Sequence, residues 1–426
     1  MILIIVTLII FLILGMPIAF TLGFPTLLFI LFNNPAWMTV IPQRLFYGMN
    51  SFVFLAIPFF IMAGEIMSES KVTDKIINFT DSLIGHVRGG LAHVNVLTSM
   101  FFAGISGAAL SDVAALGSIF IPSMEKNGYT RKFSAAITAT SSIQGPIIPP
   151  SLIIIVYASI MGCSVGALFS AGIVPGVLIG VSDILVILFL GKKRGYPKSD
   201  IPFSIKRVFN SFILALPALV VPIIIMGGIL GGIFTPTEAG AVAVLYGALL
   251  GIFALKTLKL NVFKKIFKST IKKTATLFLI VGFANIFSWV LAMENVPALL
   301  EKYVFGWTDN IYIILLIINF ILLFMGTWLE TAAALLLVGP VFGPALVNMG
   351  IHPIHLGMIM IVNLTIGLIT PPFGVCLYGA SSVSGCTVEE ISKEALPYII
   401  INIVVLFLIT FFPQLSLFFP KLFGFI

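Results

Sequence analysis

The stretch FAGISGAALSDVAALGSIFIPSMEKNGYTRKFSAAITATSSIQGPIIPPSLIIIVYAS, residues 102–159, returns at an offset of 222 residues as FMGTWLETAAALLLVGPVFGPALVNMGIHPIHLGMIMIVNLTIGLITPPFGVCLYGAS, residues 324–381. The two align without a gap, with identities that include Gly104/Gly326, Pro122/Pro344, Gly128/Gly350, Gly145/Gly367, Pro149/Pro371 and Pro150/Pro372. Gly and Pro-Pro pairs inside apolar runs interrupt helices. Such interruptions at corresponding places in two halves of a membrane chain mark the binding site of a transporter.

Composition sets the class. Of 426 residues, 59% are hydrophobic and 9% are charged, too apolar for a soluble domain of ordinary make-up. At roughly 20 residues per crossing, the apolar runs leave room for about ten or more spans. The chain reads as an all-α polytopic membrane protein. Residues 1–32 lack a charged leading region and an A-x-A-like cleavage site, which predicts a retained helix; how they divide around Gly15-Met16-Pro17 stays open. The net charge of +7 does not point to nucleic acid, because 13 of the 23 Lys and Arg fall within 192–207 and 256–273, between apolar runs, as the positive-inside rule requires of cytoplasmic loops. Cys163, Cys376 and Cys386 lack metal-ligand spacing and read as small packing residues. His86, His93, His352 and His355 are expected at membrane edges.

Those two basic loops fix a topology. Residues 212–226 and 239–255 become an out-and-back pair, with Thr235, Pro236 and Glu238 as helix cap, first-turn Pro and third helical position. Residues 133–160 run outward and 167–190 return, so 125–132 is cytoplasmic, as is 71–88. Segment 89–124 must then enter and leave on one side, a re-entrant hairpin with its Gly-rich turn at 104–107. The same count places 301–310 and 348–355 outside and makes 311–346 a hairpin from the other face, so the repeats are inverted. Residues 387–394, with three Glu and one Lys, fit their expected cytoplasmic side poorly.

Proline removes an amide donor and displaces the carbonyl four residues earlier. Pro146, Pro149 and Pro150 should free the carbonyls of Ser142, Gly145 and Pro146, and Pro371 and Pro372 those of Gly367 and Leu368. Unpaired carbonyls at this depth belong in protein or a wet cavity. Beside Ser141, Ser142, Asn363, Thr365 and Thr370 they form hard neutral oxygen sets suited to an alkali cation, sodium first. The hairpin tips can add Ser106, Gly107, Ser111 and Asp112 in one repeat, and Gly326, Thr327, Glu330 and Thr331 in the other. Helix N-termini there favour an anionic group. Asp112 and Glu330 are carboxylates in membrane hairpins; each either contacts ion or substrate, or caps its own helix. Arg44, in an expected external loop, meets a partner, a substrate or a lipid headgroup.

These motifs resemble the large membrane subunit, DctM-type, of tripartite ATP-independent periplasmic (TRAP) transporters over essentially the whole chain: GMPIAF, GISGAALSDVAALGSIFIPSM, ITATSSIQGPIIPPS, GGIFTPTEAGAVAV, GTWLETAAALLLVGPVFGPAL and TIGLITPPFGVCLY. The resemblance implies an elevator-type, inverted-repeat transporter in the bacterial inner membrane. It implies two or more sodium ions as coupling ions, a small four-helix DctQ-type subunit, separate from this chain, and a periplasmic DctP-type binding protein. The substrate is then an organic acid of the C4-dicarboxylate, sugar acid or sialic acid class, with no organic cofactor. Scaffold helices are expected at 1–88 and 191–310, and transport-domain halves at 89–190 and 311–426, with broken helices at 133–160 and 356–382. By motif match the sodium sites comprise Ser106, Gly107, Asp112, Ser141, Ser142 and Gly145, then Gly326, Thr327, Thr331, Gly367 and Thr370. Asp112, Gln144 and Glu330 are candidates for substrate contact. The family more often has Asp at position 330, and a small or β-branched residue at position 144. An ion-coupled carboxylate carrier working without a binding protein is the alternative. An intramembrane enzyme is disfavoured by the absence of His-Glu-x-x-His and Gly-x-Ser-x-Gly, and inverted repeats suit alternating access better than a passive channel.

Overall fold

The computed structural model describes residues 2–198, 202–306, 308 and 310–426. The expected connections 192–207 and 301–310 therefore fall partly outside the described residues. Every regular element among the described residues is helical, and eight helices are long and apolar enough to cross a membrane.

The opening helices are α1 (Ile2–Ile13), α2 (Ile18–Asn33), α3 (Ile41–Met49), α4 (Ala56–Glu69) and α5 (Thr73–Ile84). Gly15 at φ +69° and Pro17 at the α2 N-cap divide residues 1–32 into two helices. The first hairpin is α6 (Gly90–Ser106) and α7 (Ala109–Lys126), and the first interrupted helix is α8 (Arg131–Ser142) with α9 (Leu152–Met161). Next come α10 (Val165–Arg194), α11 (Ile205–Leu230), α12 (Pro236–Leu249), α13 (Leu260–Met293) and α14 (Val296–Leu300). The second hairpin is α15 (Ile311–Trp328) and α16 (Thr331–Asn348), the second interrupted helix is α17 (Pro353–Gly367) with α18 (Val375–Ser384), and α19 (Val388–Phe411) and α20 (Gln414–Leu422) close the chain. Both hairpins and both interruptions thus lie where the repeat predicts, with boundaries moved by a few residues.

The repeats interlock. The half-helix after each interruption packs on the second arm of the other repeat's hairpin, α9 on α16 and α18 on α7. At the first crossing Ile160 and Met161 lie against Gly339 and Gly343, and at the second Leu110 and Val113 lie against Gly379. The helices that follow exchange partners too, α10 packing on α17 and α19 on α8. This cross-packing joins the two hairpins and interrupted helices into one packed group.

A second group surrounds that body: α13 packs on α2, α3 and α4, α12 on α4, and α11 on α5 and α12. With 34 residues, α13 is about 51 Å long, longer than the hydrocarbon layer of about 30 Å. Its lysine-bearing first half reaches into water, where Lys265 and Lys273 pair with Glu69 and Glu65 of α4 at 2.7 and 2.5 Å.

Caps set several helix starts. Thr235 and Glu238 form the expected capping box, and Thr387 with Glu390 forms another. The second explains the acidic run at 387–394. Glu390 satisfies a helix start, Glu389 pairs with Lys393, and Glu394 meets Arg194 and Lys132.

Two of the histidines stand in the first turns of their helices and face protein. His93 is fully buried on α6, and His355 is buried with Nδ1 2.7 Å from Ser416 Oγ and Nε2 3.3 Å from the Thr410 carbonyl. Both lie on helix faces that pack inward. Arg44 stacks over the Trp289 ring at 5.2 Å, beside Trp37, an aromatic seat on α13.

Candidate functional site

Each hairpin tip presses on the interruption of its own repeat. In the first, the chain turns at Gly107 (φ +63°), where a Cβ would meet the Pro150 carbonyl at 3.3 Å and the Leu152 amide nitrogen at 3.4 Å. From the other side, a Cβ on Gly145 would lie 2.7 Å from Asp112 Oδ2 and 3.3 Å from the Ala108 backbone. In the second, Gly326 and Gly367 are in backbone contact. A Cβ on Gly367 would fall 2.4 Å from the Gly326 carbonyl carbon. The Gly374 amide also donates to the Thr327 carbonyl at 3.0 Å. These approaches require glycine, which accounts for the repeated Gly145/Gly367 pair.

Most of the carbonyls expected to be free are recaptured. Ser142 accepts from the Gly145 amide at 3.1 Å, Pro146 from Ser151 Oγ at 2.5 Å, Gly367 from the Thr370 amide at 3.0 Å, and Leu368 from the Cys376 amide at 2.9 Å. The expected carbonyl set is thus corrected for four of its five members, because each interruption folds into tight turns that supply local donors. The Gly145 carbonyl accepts no hydrogen bond among the described residues.

Side chains supply what the carbonyls do not. Asp112 is fully buried one turn into α7, with the Ser106 hydroxyl in reach, and neither carboxylate oxygen makes a hydrogen bond of 3.5 Å or less among the described residues. It is therefore not a helix cap. Gln144 is equally buried, with its amide oxygen and nitrogen unpaired, and so are Thr331 Oγ1 and Asn363 Oδ1. Leaving such groups unsatisfied costs about 1–3 kcal/mol each, so their concentration at two tips calls for ligands. Glu330 differs: it is the N-cap of α16, its Oε2 accepting from the amides of Ala332 and Ala333 at 3.0 and 3.4 Å. Glu330 keeps exposed surface, and its near neighbour in sequence Trp328 forms a tilted ring pair with Phe373 at 4.0 Å, both rings partly exposed.

The remaining expected ligands divide. Ser106 and Gly107 lie at the first tip, and Gly326, Thr327 and Thr331 at the second. Ser141 instead bonds outward, accepting from Ser99 Oγ at 2.9 Å, while Asn95 Nδ2 donates to Thr138 Oγ1 at 2.7 Å. Ser142 and Thr370 hydroxyls donate back into their own helices, to Ala139 and Ile366 carbonyls at 2.7 and 2.8 Å. Thr365 does likewise to Ile361 at 2.6 Å. Ser111 is exposed.

Three residues escaped the sequence reading. Asn319 on α15 accepts from Asn363 Nδ2 through both its backbone oxygen, at 2.9 Å, and its side-chain oxygen, at 2.6 Å, fixing which way the unpaired Asn363 oxygen points. Asn95 does the corresponding work between α6 and α8. Cys376, taken as packing, lies within hydrogen-bonding reach of Ser142 and electrostatic reach of both Asp112 and Glu330, so it joins the two half-sites. Its signal was weak: a cysteine four residues past Pro372.

A cavity of about 360 Å³ lies between the two helix groups, lined by Tyr47, Asn50, Asn285 and Ser288 on one side and Ser159 and Leu336 on the other. Another of about 620 Å³, largely apolar, flanks the second tip beside Thr327, Thr370 and Pro371.

Residues 5–415 match the family model described as "Tripartite ATP-independent periplasmic transporter, DctM component". The chain is 40% identical to the sialic acid TRAP transporter large permease protein SiaM of Vibrio cholerae over 412 residues, 96% of each chain. It is 38% identical to the C4-dicarboxylate TRAP transporter large permease protein DctM of Pseudomonas aeruginosa over 404 residues, 95% of this chain and 94% of that one. Its fold resembles the crystal structure of the Alcanivorax borkumensis YdaH transporter, with a TM-score of 0.58 and 16% identity over 92% of this chain and 89% of that one. The chain belongs to the DctM family of tripartite ATP-independent periplasmic transporter large permeases, and is a multi-pass inner-membrane protein.

Proposed function

We propose that the chain is the large permease of a sodium-coupled importer that takes an organic acid from a periplasmic binding protein and carries it inward by an elevator movement. A small four-helix membrane subunit completes the assembly. The body formed by α6–α10 and α15–α20 is the moving part, and the helices around α4, α11, α12 and α13 are the scaffold. The observation that carries this reading is the pair of hairpin tips, each closed on a helix interruption and each holding buried, unpaired oxygens. At the first tip Asp112 and the Gly145 carbonyl fit a sodium ion, and at the second Thr331 and Asn363 do; all are hard oxygen donors, one of them charged. The other motif-matched groups, Ser106, Gly107, Ser141, Ser142, Gly326, Thr327, Gly367 and Thr370, shape these sites by packing and local hydrogen bonding.

An anionic substrate suits the region between the tips, where helix starts at Ala109 and Thr331 direct amide dipoles inward. Gln144, with both amide atoms free, is the neutral group for polar contact there. Glu330 shapes the tip as its cap, through Oε2 on the Ala332 and Ala333 amides. The substrate classes of the relatives, sialic acid and C4-dicarboxylates, are both carboxylates, consistent with such a site.

The test is co-reconstitution with the small subunit and binding protein in proteoliposomes. Uptake of candidate organic acids is followed under an inward sodium gradient, with potassium replacing sodium, and without the binding protein. Uptake that needs both sodium and the binding protein is expected. Sodium-driven uptake indifferent to the binding protein would instead identify a self-sufficient carboxylate carrier.

A further inference from the structure

A second buried carboxyl lies away from both tips. Asp183 stands in the apolar body of α10, about three helical turns before Arg194, and is fully buried. Its Oδ1 accepts from Asn402 Nδ2 at 3.2 Å, and Asn402 Oδ1 in turn accepts from Ser182 Oγ at 3.2 Å. Asp183 Oδ2 has no hydrogen-bond partner, and no ion pair includes this residue among the described residues. A desolvated carboxylate with a single neutral donor and no counter-charge is costly. A proton on Oδ2 removes that charge.

Polar side chains continue from Asp183 toward the basic end of α10. Tyr398, one turn before Asn402 on α19, is fully buried with its hydroxyl unpaired. It shares the Asn402 face of α19, which packs on α10, and Tyr196, Asp183, Arg194 and Glu394 are within its electrostatic reach. Arg194 and Glu394 are ion-paired with each other at the basic end of α10, and Lys132 of α8 approaches Glu394 at 4.0 Å. From α6, His93 adds a buried ring with both nitrogens unpaired. Together with Tyr196 and Ile187, that ring fills the space over Gly89. Tyr129, at the end of the first hairpin, stacks on Phe133 and lies beside Tyr196. Of the titratable groups on the other helices against α10, Tyr157 of α9 donates to the Pro353 carbonyl, His355 of α17 contacts Ser416 of α20, Arg207 of α11 pairs with Asp81, Lys206 of α11 is exposed, and Lys421 of α20 is exposed near His352.

We infer that Asp183 is a proton-binding site that exchanges with the cytoplasmic side through Tyr398. The step is simple: the carboxylate and one proton give the neutral acid, and no other bond changes. The Tyr398 hydroxyl passes a proton inward and regains one from the Tyr196 and His93 side. A metal cation fits less well, because Asp183 is the one charged donor and its oxygen neighbours, Asn402 Oδ1 and Ser182 Oγ, are already held to each other by a hydrogen bond. Since α10 and α19 belong to the interlocked body, loading this site makes one step of its cycle depend on cytoplasmic pH.

The experiment is infrared difference spectroscopy of the purified full chain in lipid nanodiscs, following the carboxylic C=O stretch after pH steps at constant sodium. Wild type is compared with Asp183→Asn, Tyr398→Phe, and the double variant Asp112→Asn/Glu330→Gln. The expected result is a titrating band that Asp183→Asn abolishes and the double variant keeps, relaxing about tenfold slower or more in Tyr398→Phe, which lacks the relay hydroxyl. The inference is overturned by a band that survives in Asp183→Asn, by no titrating band in wild type, or by one that follows sodium at fixed pH. If Asp183→Asn fails to fold, Tyr398→Phe decides alone: a relaxation rate equal to wild type overturns the relay.

Discussion

Asp112 and Gly145 are in contact: a Cβ built on Gly145 would lie 2.7 Å from the Asp112 Oδ2. The repeat alignment drew attention to Gly145 as a helix breaker, but its nearer purpose is to make room for a buried carboxylate at a hairpin tip. Gly145→Ala should therefore displace Asp112 or the Ala108 backbone, at an overpacking cost of about 1–3 kcal/mol. Uptake in proteoliposomes is expected to fall about tenfold or more while the protein still purifies folded. Gly339→Ala, whose Cβ would meet Ile160 no closer than 3.4 Å, should transport normally.

The second tip tolerates even less. A Cβ on Gly367 would fall 2.4 Å from backbone, against 3.3 Å at the Ala108 backbone for Gly145, and backbone cannot rotate away as a side chain can. Gly367→Ala should lower the melting temperature more than Gly145→Ala, a ranking that thermal unfolding of the two purified variants checks directly.

Asp112 and Glu330 do different work, so their variants should separate. Glu330→Ala removes the cap that accepts from Ala332 and Ala333 and should cost about 1 kcal/mol of stability. Asp112→Asn removes no cap, so its melting temperature in sodium-free buffer should equal or exceed that of wild type. Equal destabilisation by the two would contradict this division of roles.

Asn319 offers a test of positioning. Asn319→Ala leaves the buried Asn363 amide without its side-chain acceptor, at about 1–3 kcal/mol, and lets the Asn363 oxygen turn. The sodium concentration for half-maximal uptake should rise, whereas uptake at saturating sodium should be retained.

Acid stability should follow the two capping boxes. Glu238 is held below its ordinary value of 4.5 by hydrogen bonds from the Thr235 amide and hydroxyl, and Glu390 likewise by those of Thr387. Because the value is depressed in the fold, the unfolded chain takes up the proton first. The stabilisation is therefore full above about pH 4.5 and is lost as pH falls below it through the folded value. Melting curves between pH 6 and pH 3 should steepen below that point, and Glu390→Gln should flatten the response.

The sequence carried the plan of the fold because interruptions and tips are made by Gly and Pro, whose backbone consequences are local. GPIIPP and ITPP predict broken helices whatever surrounds them, and the Thr235–Glu238 box is readable from four residues. What surrounds the tips was less visible. α7 and α16 begin at matching repeat positions, Ala109 and Thr331, so Glu330 caps while Asp112 does not because Glu330 stands at the N-cap and Asp112 one turn inside its helix. The recapture of the Leu368 carbonyl by the Cys376 amide depends on how the turns between α17 and α18 close. The approach of Cys376 to Asp112 comes from α18 packing on α7, a contact between repeats that only the folded chain brings together.

The most direct test of the two tips as cation sites is sodium-dependent thermal stabilisation of the purified chain, with potassium as the control for ionic strength. A ligand bound only by the folded state raises stability by about 2.7 kcal/mol at a hundred times its dissociation constant. Wild type should melt higher in sodium than in equal potassium, Asp112→Asn should lose a large part of that difference, and Asp112→Asn combined with Thr331→Val should lose nearly all of it. Identical melting of wild type in the two salts, or full sodium stabilisation surviving in the double variant, would contradict the assignment.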